Sequence, residues 1–250
     1  MLKFLLTPKW IAVTLVALLL QPAFWELSQW QWRRLHERQI HNSVILKNQA
    51  LDPTPLEEII STGNTTTIDK TYEWRRIDVV GTWLTEQQVL VRKQSYESNL
   101  GFWVITPFQS SSGLTILVNR GWIAASESAL NTPAVMAPPE GTVEILGRVR
   151  IVAPRTKPRP TDLPTGQVDG AQPDEILAQI EHVANSYLEL TASTPESRTS
   201  DLQPILAPEI TEGPHRSYAL QWIFFAIMTL IGWAVLVRKE SQDRDEKATK

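Results

Sequence analysis

Ser217 to Val237 reads SYALQWIFFAIMTLIGWAVLV, 21 residues without one charged side chain. A helix of that length, at ~1.5 Å per residue, just crosses a ~30 Å hydrocarbon layer. Backbone groups find no water there, so a helix is the form that satisfies them. Arg216 stands at one end and Arg238–Lys239 at the other, where long basic side chains reach the headgroups. A transmembrane helix is therefore predicted over residues 217–237.

A second apolar stretch, Trp10 to Trp25, is free of charge up to Glu26. Extended to Trp32 it predicts a span over 11–32, with Trp30 and Trp32 at the far interface and a kink at Pro22. The rival reading is a cleaved signal peptide, with Lys3 and Lys9 before a short apolar core at 11–20. No small-x-small cleavage site follows, because Pro22, Phe24, Trp25 and Leu27 occupy that place. A retained anchor is expected.

Charge then orients the chain. The net charge is −3, which argues against a nucleic-acid binder. Residues 1–47 carry +4, residues 48–214 carry −9 and residues 215–250 carry +2. Basic ends around an acidic centre suit lipid at the ends and water in the middle. Arg238, Lys239, Arg244, Lys247 and Lys250 outnumber Arg216 and His215 across the second span, which puts the tail in the cytoplasm. Two spans then place residues 1–10 in the cytoplasm and 33–216 outside it. With no cysteine at all, disulfides, thiolate metal sites and covalent haem attachment are excluded.

Within 33–216, Arg33 to Leu56 reads as a polar helix, followed by a Thr-rich turn at 61–67. Five strand-like segments come next: Glu73–Thr82, Gln88–Lys93, Phe102–Phe108, Leu114–Ile123 and Thr142–Val152, punctuated by Gly81, Gly101 and Gly113. The fold class expected is a membrane protein of the α+β type. Two transmembrane helices would flank an extracytoplasmic, mainly antiparallel β domain, a sheet or small barrel. Five prolines in 154–173 exclude helix and strand and predict a long loop. Asp174–Ala184 reads as a short helix, Tyr187–Ala192 as a sixth strand and Thr194–Pro214 as an extended tether. Residues 238–250 form a tail expected to be disordered.

No phosphate loop, dinucleotide fingerprint, nucleophile elbow or zinc helix is present, so nothing asks for an enzyme. His36 and His41 lie about 140° apart on a helix and do not converge. His182 reads as a solvated surface residue. His215 is different. On a helix His215, Tyr218, Trp222 and Phe225 share one face, with Gln221 beside them. An imidazole can ligate haem iron and aromatics can flank a porphyrin, but a histidine in an interfacial aromatic belt needs no ligand.

Three segments, in order, resemble the Surfeit locus protein 1 family, assembly factors for cytochrome c oxidase. LSQWQWRR at 27–34 matches the family's motif at Leu27, Trp30, Gln31 and Arg34, with Ser28 where glycine is usual. GFWVITPF (101–108) and LTILVNRGWI (114–123) match it at Gly101, Val104, Pro107, Asn119, Arg120, Gly121 and Trp122, and Ala124 replaces a proline. PHRSYALQW (214–222) matches it at His215, Tyr218, Ala219 and Trp222.

The resemblance implies a role in maturing the haem–copper oxidase at haem a insertion into its catalytic subunit, without enzymatic activity. It implies haem a as a transient cofactor, His215 as its ligand beside Tyr218 and Trp222, and structural roles for the other matched residues. A membrane-anchored scaffold that contacts an oxidase subunit without any cofactor is the alternative. For Arg120–Gly121–Trp122 the residues themselves suggest a tight bend, core packing and an Arg–carboxylate pair. No transit peptide is visible, so a two-span protein of a bacterial plasma membrane is expected, with both termini cytoplasmic.

Overall fold

The computed structural model describes residues 3–61, 66–126, 132–156, 158–160 and 162–249. Most of the expected Thr-rich turn, residues 62–65, lies outside them. Two compact units divide the chain, Met1–Ser43 with Glu209–Lys250 and Val44–Pro208.

The first unit is an antiparallel helix pair built from α1 (Pro8–Ala50) and α2 (His215–Thr249). Each is long and apolar enough to cross a membrane, and no residue in the most apolar stretch of α2 is fully buried. Leu19, Val235 and Phe224 stand exposed there, a cost in water that hydrocarbon would remove. Where the helices touch, small or polar side chains let them close: Ser28 Oγ donates to the Ala219 carbonyl at 3.1 Å, and Trp233 Nε1 donates to Thr14 Oγ1 at 3.0 Å. Ser28 is buried there. Pro22 sits inside α1 without ending it, and the helix runs on through Arg33 to Ala50, short of the expected Leu56. Pro53 explains the stop, since a residue before proline disfavours helix.

One expectation fails at the other end. Residues 238–250 were expected to be disordered, yet α2 continues to Thr249. The segment holds neither glycine nor proline, its Glu, Gln, Lys and Ala favour helix, and Arg244 pairs with Glu240 one turn away at 2.7 Å.

The second unit is a barrel. Its strands are β1 (Arg76–Trp83), β2 (Val89–Tyr96), β3 (Asn99–Ser110), β4 (Thr115–Ala124), β5 (Val143–Ile151) and β6 (His182–Thr194). The ladder runs β1–β5–β6–β4–β3 and closes where Gly81, Thr82 and Trp83 pair with Ser110, Gln109 and Phe108. All contacts around the ring are antiparallel except β4 with β6. This five-stranded Greek-key connectivity is that of an OB-type barrel, with β2 added as a hairpin arm on β3.

Alternation makes the core. Ile77, Val79, Ile116, Val118, Leu188 and Leu190 fill the interior with Phe108. β4 is buried from Thr115 to Ile123 because its second face is covered too, Leu117 packing with Ile105, Val91, Val168, Leu177 and Tyr187. Gly81 and Gly101 do not punctuate strands, as expected, but lie within them. A Cβ on Gly101 would stand 2.1 Å from the Ile123 carbonyl oxygen, so the strand requires glycine there.

Three further expectations are corrected by packing. The helix foreseen at 174–184 is one turn, Pro173–Ile176, and His182–Ala184 already belong to β6, because Val183 is wholly buried in the barrel core. The proline-rich loop 154–173 carries a two-residue strand, Gln167–Val168, between Pro164 and Pro173, paired in parallel with Leu90–Val91. It is clamped by Arg155, whose two terminal nitrogens each reach Asp169 at 2.8 Å and which also holds Glu175. The supposed tether also folds back on the barrel: Leu202 is buried with Phe102 and Ile123, and Gln203 bridges to Trp122.

Candidate functional site

His215 is the first residue of α2 and half-buried. Its Nδ1 lies 2.8 Å from Gln31 Oε1 on α1. With the amide oxygen facing the ring, a neutral imidazole donates its hydrogen from Nδ1 and keeps its lone pair on Nε2. Beside Nε2 lies Gly213, in the left-handed region at φ 66°; a Cβ there would stand 3.6 Å from that nitrogen. Glycine therefore permits the turn into α2.

Arg34, Glu37 and Arg38 of α1 line, with His215, a cavity of about 320 Å³. Arg34 pairs with Glu37 at 2.9 Å. Deeper along the pair, Trp222 stacks on Phe24 at 6.1 Å between ring centres and meets Phe225 edge-on at 5.8 Å. Among the described residues Trp222 Nε1 has no hydrogen-bond partner. Tyr218 is exposed, and so are Trp30, His36 and His41.

Of the helix face expected from 215, 218, 222 and 225, His215 meets Gln31, Arg34 and Arg38, Trp222 and Phe225 meet Phe24, and Tyr218 stays exposed. Gln31 had been read as a structural motif residue, and Phe24 and Arg38 had not been singled out. Their spacing of seven residues along α1 was the available signal, since it repeats one helix face. An imidazole nitrogen and two guanidinium groups, one of them paired with Glu37, line this cavity, a set that suits a metal complex carrying carboxylates, so these residues fit haem at its iron and its carboxylates.

The other matched motif serves the barrel. Pro107 is buried in β3, and its carbonyl accepts from Leu84 N at 2.9 Å. Asn119 is buried and turns its side chain onto the Gly121 N–H at 3.1 Å. Trp122 donates from Nε1 to the Gln94 carbonyl at 3.0 Å and stacks on Tyr96. Arg120 is wholly buried. The expected carboxylate partner is replaced by neutral acceptors: the carbonyls of Ser197 (2.9 Å) and Met136 (3.2 Å) and Gln88 Oε1 (3.0 Å). Burial lowers its pKa to about 10, with Asp201 acting the other way at longer range. These bonds fasten three connections to one wall, a structural task.

Two smaller sites complete the picture. His182 is not a free surface residue, because its Nε2 meets Asp174 at 2.9 Å and its Nδ1 the Ile180 carbonyl at 2.6 Å. Glu189 is buried between Arg148 (3.1 Å) and Arg150 (2.8 Å), and burial pushes its carboxyl above the usual range against both cations.

Known proteins bear on the whole chain. It is similar to uncharacterized SURF1-like proteins of Mycobacterium bovis and Mycobacterium tuberculosis, each 29% identical over 247 residues, covering 97% of this chain and 89% of the relative. A SURF1-like protein of Dictyostelium discoideum is 44% identical over 55 residues, covering 22% of this chain and 20% of that protein. The pattern of the SURF1 family matches residues 18–227, from within α1 across the whole barrel into α2, and the chain belongs to the SURF1 family, known generally for cytochrome oxidase assembly and not for catalysis.

Proposed function

We propose that this chain assists haem a insertion into the catalytic subunit of cytochrome c oxidase, with His215 as the residue that would hold its iron. The observation that carries the reading is the His215 ring, held by Gln31 at Nδ1 while Nε2 makes no hydrogen bond among the described residues. Haem a supplies, when bound, an iron that accepts an imidazole nitrogen. Arg34 and Arg38, which line the cavity with His215, would meet its carboxylates. The exposed start of α2 suits a ligand handed on rather than kept.

The setting proposed is a bacterial plasma membrane, with both termini cytoplasmic and the barrel outside. The uncovered apolar surface of α2 supports the second reading, a scaffold that meets oxidase helices without a cofactor. An absorption spectrum of the full-length protein, purified from cells making haem a, separates the two. Haem in the wild type and none in His215→Ala is expected. Equal haem in both would remove His215 from the site, and none in either would favour the scaffold.

A further inference from the structure

We infer that Gln31 is a positioning residue that sets the tautomer of His215 and so presents Nε2 as the ligating atom; this rests on the haem reading above. A histidine free to rotate shares its hydrogen between two nitrogens, and only the bare one can bind a metal. In this chain Gln31 is buried and its Oε1 stands 2.8 Å from Nδ1. An amide oxygen accepts hydrogen bonds and cannot donate, so the hydrogen is held on Nδ1. The bond also fixes the ring plane against α1. Neither Arg34 nor Arg38 can replace Gln31, because a guanidinium has no acceptor to offer, and the Glu37 carboxylate beside them is turned to Arg34 at 2.9 Å.

Gln31 lies on α1 and His215 on α2, so the ligand is aimed by the partner helix and not by its own. Groups that orient a ligating histidine from behind also raise its basicity, and losing one typically weakens metal binding 10–100-fold. An anionic acceptor at the same place would push more electron density onto the ring and favour the oxidised metal.

The test is hemin titration of the detergent-solubilised full-length protein, followed by absorption and midpoint potential, for wild type, Gln31→Leu, Gln31→Glu and His215→Ala. Gln31→Leu is expected to bind hemin about 10-fold or more weakly. Gln31→Glu is expected to bind near wild-type strength with a lower midpoint potential, a shift that simple packing would not produce. Wild-type affinity in Gln31→Leu, or an unchanged potential in Gln31→Glu, would overturn this role while leaving His215 as the ligand. Loss in neither Gln31→Leu nor His215→Ala would overturn both readings, as would a wild type that binds none.

Discussion

Gln203 and Trp122 exchange both of their backbone hydrogen bonds, 2.8 Å in each direction. The segment after β6 is thereby laid against β4, and Gly121 is the residue that allows the approach. A Cβ on Gly121 would stand 2.6 Å from the Gln203 carbonyl oxygen.

Gly121→Ala should therefore force the returning segment off the barrel and cost about 2–4 kcal/mol. Denaturant unfolding followed by tryptophan fluorescence measures it, and a change below 0.5 kcal/mol, by the usual surface standard, would contradict the packing.

Arg120→Ala should be among the most damaging substitutions in the barrel, at about 3 kcal/mol or more, because three acceptors, the buried Ser197 carbonyl among them, lose their donor together. Arg120→Lys should rescue little, since an ammonium cannot span Gln88, Met136 and Ser197 with one fork. Thermal unfolding of both variants checks this; a Lys variant as stable as wild type would show that charge alone suffices.

The clamp on the proline-rich loop should open in acid. Hydrogen bonds from Arg155 hold the Asp169 carboxyl below its ordinary value near 3.8. A depressed carboxylate contributes stability that is present above the unfolded pKa and disappears as the pH falls through the folded one. Hydrogen exchange in residues 162–175 should rise selectively below about pH 4. Asp169→Asn should exchange fast at every pH.

Orientation has its own test. A reporter fused after Gly141 should be active only outside the cytoplasm, and one fused after Lys239 only inside it. Cytoplasmic activity at Gly141 would invert the proposed topology.

How much of this was legible depended on distance along the chain. The strands at 76–83, 99–110, 115–124 and 143–151 were foreseen within a few residues, because alternation and turn residues are local signals. His182–Ala184 were misread because Glu181 and the acids before it favour a helix start, while the burial of Val183 that overrides them is tertiary. Gln203 looks like tether in the sequence because its partner Trp122 is 81 positions away. At the candidate site the helix face of His215 was visible, but Gln31 was not, because nothing in α2 points to α1.

That last separation has a consequence in time. Gln31 and His215 are 184 positions apart, and Ser28–Ala219 and Thr14–Trp233 are farther still. At roughly 5–20 residues per second, a ribosome needs on the order of 10–40 s to travel from one to the other. Throughout that interval the first helix waits in place without its mate, and the barrel is translated in between. A chain cut short between Thr194 and His215 contains every strand yet cannot assemble the site, so a working site certifies that translation has passed the whole barrel.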